Sequence, residues 1–320
     1  MQAGKFKYPL IQGGFTLIEL MISLVLGLLI TAAVIQVYIT MVRTKTIQQS
    51  GSQITDVSVF GIQRLEQSLR MANLGNTVTN INSTTANGGI ILTAANLNGT
   101  VSNVNPTFLT DSSGDTVGTD KAWTAISGTN IGSDQLTLQY TNKTDQDLVD
   151  CEGQTVNKDA QVIERYFLRK PTSKSGTAGL VLACEAVRVT MNGATVNLTG
   201  FGDAGQETIM NVEQFKILLG IQTLNGSLTY VTPNQYKNAT NTSPFFNAPI
   251  IAIKVGMIVR SDKPIVDGNV TPPTTVKLFG VDNTASDTTT KYIRKAYEST
   301  TMLRNARVTS IITSNAAREL

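Results

Sequence analysis

Between Leu20 and Val42 the chain carries 23 consecutive residues without a formal charge, most of them apolar. As a helix rising about 1.5 Å per residue, such a run crosses a hydrocarbon core of roughly 30 Å. Past Arg43 the pattern changes. Ile47, Ile54, Ile62, Leu65, Leu69 and Ala72 recur at mostly helical intervals among polar residues, so the helix becomes amphipathic. Asn73-Leu74-Gly75 supplies a stop, with Gly75 suited to the left-handed position that ends a helix. The periodicity predicts one long helix from about Phe15 to Asn73, its second half lying against a globular head.

From Gly75 to about Gly132 the chain is dense in Thr, Asn, Ser and Gly, which favours loops and short strands. Bounded or alternating apolar runs then predict strands at Gln135 to Tyr140, Val162 to Leu168, Gly179 to Val189, Glu213 to Ile221 and Ile250 to Arg260. In the last of these, Ile251, Ile253, Val255, Met257 and Val259 share one face, and Lys254 and Arg260 take the other. Val276 to Phe279 and Ile293 to Leu303 add a further pair. A helix ahead of several strands, without alternation of the two, predicts an α+β fold in which the helix covers one face of a mainly antiparallel sheet.

At 320 residues the chain has room for a membrane helix and one large domain, or two smaller ones. The formal charge is +3, of which Lys5 and Lys7 supply two, so bulk electrostatics give no case for nucleic-acid binding. The segment from Lys291 onward is net +4, through Lys291, Arg294, Lys295, Arg304, Arg307 and Arg318 against Glu298 and Glu319. It is expected to be a solvated face rather than a DNA contact.

The absence of histidine removes Ser-His-Asp and Cys-His catalysis and imidazole-based zinc sites. Gly200-Phe-Gly-Asp-Ala-Gly205 matches Gly-x-Gly-x-x-Gly, but no βαβ unit surrounds it, and it is expected to be a turn between strands. The loop Asp111 to Asp120, and the group Asp145, Asp147, Asp150 and Glu152, offer oxygen ligands for calcium without the EF-hand spacing, and both are expected to be solvated turns. No cofactor and no metal are expected. A membrane-anchored hydrolase working with two carboxylates is the competing class, although no pair can be chosen from the sequence.

The stretch Met1 to Gly14 holds Lys5 and Lys7 and no acid, so the positive-inside bias keeps it cytoplasmic and sends the chain after Arg43 outward. Cys151 and Cys184 then lie where oxidation is permitted. A disulfide between them is expected, adding about 3 to 4 kcal/mol by loop closure, with two free buried thiols as the alternative. Secretory signals are cleaved after their apolar region, but here Gly13 and Gly14 precede it. Glu19 stands at the head of the span, where a carboxylate costs about 2.5 to 3.5 kcal/mol at mid-helix and less near an end, so a partner is implied. The plainer reading is a glutamate favoured by the helix dipole, by about 0.3 to 1 kcal/mol.

Gly14-Phe15-Thr-Leu-Ile-Glu19 ahead of a full span resembles the class III signal of type IV prepilins. The resemblance implies cleavage after Gly14 by a prepilin peptidase, methylation of the new amine on Phe15, and pairing of Glu19 with the N-terminal amine of a neighbouring subunit. Three head segments, Asn211 to Gly220, Ile250 to Ser261 and Tyr292 to Asn305, look like the head of PilW-family minor pilins. Gln36 stands where a major pilin usually has a proline.

The resemblance implies a leader at 1–14, a transmembrane or filament-core helix at 15–42 with ends at Leu20 and Val42, an amphipathic continuation at 43–75 and a β-rich periplasmic head at 76–320. It implies a non-enzymatic subunit of the bacterial inner membrane and surface pilus, in a complex that primes assembly near the tip. The partners would be other minor pilins, the major pilin and the inner-membrane assembly platform. A J-type pseudopilin of type II secretion is the alternative within the same class.

Overall fold

The structure is a computed structural model that describes residues 14–97, 100–101, 108–112, 123–125, 132–172, 179–192, 195–198, 200–223, 226–265, 271–285 and 287–306. The chain forms two compact units, Met1–Gln49 and Ser50–Leu320. Helix α1 (Leu17–Met71) supplies the first unit's helix and enters the second. In the first unit every residue from Gly14 to Thr46 is exposed, as an apolar helix without its surroundings must be.

In the second unit the strands follow in chain order: β1 (Thr100–Val101), β2 (Trp123–Ala125), β3 (Leu136–Thr141), β4 (Leu148–Val149) and β5 (Thr155–Val156). Next come β6 (Gln161–Arg169), β7 (Val181–Arg188), β8 (Thr190–Asn192), β9 (Thr195–Asn197) and β10 (Gln206–Met210). β11 (Val212–Gln222), β12 (Leu228–Val231), the short helix α2 (Pro233–Lys237), β13 (Ile250–Arg260), β14 (Thr275–Leu278), β15 (Val281–Ala285) and β16 (Arg294–Met302) complete the head.

Two four-stranded antiparallel sheets dominate, in the orders β10-β7-β6-β3 and β12-β11-β13-β16. Smaller sheets are β14-β15-β2, β4-β5 and β1-β9-β8, and in the last β1 and β9 run parallel. The architecture is thus α+β: a long N-terminal helix ahead of a mainly antiparallel β head.

The head segment of α1 buries Ile54, Leu65, Leu69 and Ala72 in the main core, the apolar stripe that the sequence periodicity marks. Gly61 lets the helix come close to β10, since a Cβ there would lie 2.3 Å from the Ile209 side chain. The helix stops where Asn73 turns left-handed at φ 65°, with Gly75 following at φ 77°. Asparagine is one of the few residues that tolerate this conformation. Its side chain also accepts from Gly89 N–H at 2.9 Å and donates to the carbonyls of Val78 and Asn305 at 3.0 Å each.

Alternation along β6 divides the core. Val162, Tyr166 and Leu168 belong to the main cluster with α1, whereas Ile163 joins Ile91, Leu97, Leu109 and Val187 in a second one. On β13, Ile253, Val255, Met257 and Val259 enter the main core. The opposite face of that strand is covered too, because Ile258 packs on Leu278 and Ala285 of the β14–β15 hairpin.

Candidate assembly site and the polar cluster under the helix

At the start of α1 the residues of the N-terminal motif form a reciprocal cap. Thr16 N–H and hydroxyl donate to Glu19 Oε2 at 3.3 and 3.1 Å, and Glu19 N–H donates to Thr16 Oγ1 at 3.3 Å. This is the threonine-x-x-glutamate pattern that satisfies donors a helix start leaves open. Gly14 and Phe15 precede the helix, outside any regular element, and Phe15 is 87% exposed. Leu20 and Val42 lie within α1, both exposed. Met1 to Gly13, with Lys5 and Lys7, lie outside the described residues. The helix is long and apolar enough to cross a membrane.

In the head, Cys151 in the β4–β5 turn and Cys184 on β7 form a disulfide, with Cα atoms 6.1 Å apart. The bridge fastens the hairpin to the sheet. Beside it Glu164 of β6 is fully buried. Its Oε1 accepts from the Tyr140 hydroxyl and from Cys151 N–H at 3.0 Å each, and its Oε2 from the Tyr166 hydroxyl at 3.0 Å. The Tyr166 hydroxyl oxygen also lies 2.8 Å from Ser68 Oγ of α1.

Burial holds the Glu164 carboxyl above the ordinary carboxylate range, and the hydrogen bonds from Ser68, Tyr166, Tyr140 and the Cys151 amide only partly offset it. Burial, followed by the Glu164 charge, raises both Tyr140 and Tyr166. Sγ of each cysteine and a Glu164 oxygen lie within 4.8 Å of one another. The disulfide engages both sulfurs, so the group is not a metal centre.

The neighbouring residue Arg165 points to the other face, where it pairs with Glu185 at 2.7 Å. Its guanidinium lies 3.8 Å from the Phe167 ring centroid and 4.5 Å from that of Phe108. Gly200 to Gly205 is a turn leading into β10, and the N–H groups of Gly202 and Asp203 donate to Glu185 Oε1. The glycine-rich motif therefore holds a carboxylate of its own chain.

The acidic loops are tied to cations of the chain. Asp111 meets Lys237 at 2.5 Å, Asp145 meets Lys158 at 2.6 Å and Asp150 meets Arg188 at 2.8 Å. Asp115 and Asp120 lie outside the described residues, as do Arg307, Arg318 and Glu319 of the basic tail. Within the described part of that tail, Arg294 is buried against Glu213 at 2.8 Å, so it does not belong to a solvated face. The sequence reading missed the Glu164 cluster and the Arg165–Glu185 pair. The available signal was a Glu-Arg dipeptide in the middle of the apolar strand Val162 to Leu168.

Comparison with known families gives two matches. The prokaryotic N-terminal methylation motif matches residues 11–35, and the family described as type IV pilus-assembly protein W matches residues 165–305. No curated protein matches the chain. Among solved structures, the type IV-like pilin TTHA1219 from Thermus thermophilus is similar at 12% identity and a TM-score of 0.30, covering 55% of this chain and 81% of that one. That likeness is too slight to add to the fold described above. With the methylation motif matched at its start and the pilus-assembly family matched over residues 165–305, the chain is similar to type IV prepilins at its N-terminus and to the PilW family across its head.

Proposed function

We propose that the chain is a minor pilin that joins the complex priming type IV pilus assembly, near the filament tip. The observation that supports this most is the pairing of two independent matches on one chain, the methylation motif at 11–35 and the pilus-assembly family at 165–305. A prepilin peptidase would cleave after Gly14 and methylate Phe15, leaving the apolar helix on the mature protein. The head would then lie in the periplasm before the subunit enters the filament with other minor pilins, the major pilin and the assembly platform. The role is structural, without catalysis.

In this reading Glu19 exchanges its local partners for the amine of a neighbouring Phe15. The Thr16 cap suits that exchange, because it keeps the carboxylate bonded before a neighbour arrives. Replacing Glu19 with Ala tests the proposal in cells. The expected result is normal membrane insertion with loss of the protein from sheared surface filaments. Wild-type amounts in filaments would contradict it.

A further inference from the structure

We propose that Glu164 is an internal base for closing the Cys151–Cys184 disulfide, with Cys151 as the entry thiol and Cys184 as the resolving thiol. The geometry assigns the three roles separately. Cys151 lines an open groove of about 360 Å³, together with Phe60, Gln63, Arg64, Met71 and Val149. Cys184 has no exposed surface and lies on β7, paired with Tyr166 of the neighbouring strand. Cys151 is itself only 3% exposed, but Cys184 is at 0%, so an oxidant entering the groove meets Cys151 first. Arg64 donates to the Cys151 carbonyl at 3.0 Å, so a cation lines the groove on the entry residue's side.

Glu164 is bonded to Cys151 through that residue's N–H, and a carboxylate oxygen lies within 4.8 Å of both sulfurs. Among the described residues the groups facing it are neutral donors: the Tyr140 hydroxyl from β3, the Tyr166 hydroxyl from β6 and the Ser68 hydroxyl from α1. The nearby charges are Arg64 on α1 and the Asp150–Arg188 pair on the hairpin and β7. No cation neutralises Glu164 directly in these bonds, and burial raises its affinity for a proton. A carboxylate so placed takes up a thiol proton more readily than a solvated one.

The oxidant is a low-molecular-weight or protein disulfide, RSSR. The Cys151 thiolate attacks one of its sulfurs, forming a Cys151–SR bond, breaking the RS–SR bond and releasing RS⁻. The Cys184 thiol then gives its proton to Glu164, and its electron pair attacks Cys151 Sγ. The Cys151–Cys184 bond forms, the Cys151–SR bond breaks and a second RS⁻ leaves through the groove. Two thiols are oxidised, one RSSR is reduced to two thiols, and Glu164 returns its proton to solvent.

The test uses the full chain in detergent, reduced and then mixed with glutathione disulfide, with acid-quenched samples analysed by mass spectrometry. In the Cys184→Ser variant, glutathione should accumulate on Cys151, and Cys151→Ser should react at least tenfold more slowly at Cys184. Closure in Glu164→Gln should be about 100-fold slower at pH 7, the lower end of general-base effects, with the gap narrowing towards pH 9. Decay of the wild-type Cys151–glutathione mixed disulfide should depend less steeply on pH than the same step in Glu164→Gln. Equal closure rates and pH profiles in wild type and Glu164→Gln would overturn the proposal. So would preferential attack at Cys184. If Glu164→Gln lacks the near-ultraviolet dichroism of the folded head, the closing step of the wild type decides, read as decay of the Cys151–glutathione mixed disulfide, and a tenfold rise per pH unit in that decay through neutrality counts against an internal base.

Discussion

Asp134 shows how strongly one position can link this head to pH. Its carboxylate accepts from Lys216 Nζ at 2.7 Å and from Ile217 N–H at 2.9 Å, yet burial dominates and pushes its pKa up to about 7. Because the folded value lies above the unfolded 3.8, the folded state holds the extra proton between the two. Stability from this group is therefore greatest at the acid end and declines as pH rises from about 4 to 7. A carboxyl-carbon titration of Asp134 by NMR should show a midpoint near 7, and a midpoint near 4 would remove the effect. Gly61 gives a steric prediction. Substituting Val should cost about 1 to 3 kcal/mol in urea unfolding, because the new Cβ meets Ile209 at 2.3 Å. Residues of this kind were only partly legible in the sequence. Gly75 was marked as left-handed, but the same conformation at Asn73 is stabilised by Gly89 and Asn305, contacts that no local pattern shows.

At the level of elements, the disulfide ties the β4–β5 hairpin to β7 across a sequence separation of 33. Replacing both cysteines with Ala should lower the head's stability by about 3 to 4 kcal/mol, measured by denaturant unfolding with and without reductant. Reductant should then have no effect on the double variant. The long strands were legible because their alternation is imposed by burial on a sheet face: β13 runs Ile250–Arg260, the span its apolar positions predict. The two-residue strands β4 and β5 were not, since two residues carry no period, and their pairing depends on the turn that holds Cys151. Glu164 was missed for a related reason. Alternation marks it as facing inward, but only the fold shows that Tyr140, Tyr166 and the Cys151 amide converge on it.

For the whole molecule, the apolar start and the β-rich head make separate demands. The first is a helix of exposed apolar residues headed by the Thr16–Glu19 cap, and the second has a complete core of its own. A chain built this way needs an apolar environment for one part and an aqueous one for the other, as a membrane-held precursor of a filament subunit does. The chemistry that separates this account from an uncleaved membrane anchor is the removal of the leader, because only cleavage creates the amine on Phe15 that Glu19 is proposed to meet. The most direct measurement is mass spectrometry of the protein's N-terminus, taken from sheared surface filaments of the native cell. The account predicts a chain that begins at N-methylated Phe15 and co-purifies with other pilins. An intact Met1 leader would contradict it, and a methylated chain found only with secretion components would move the protein from a pilus to a pseudopilus.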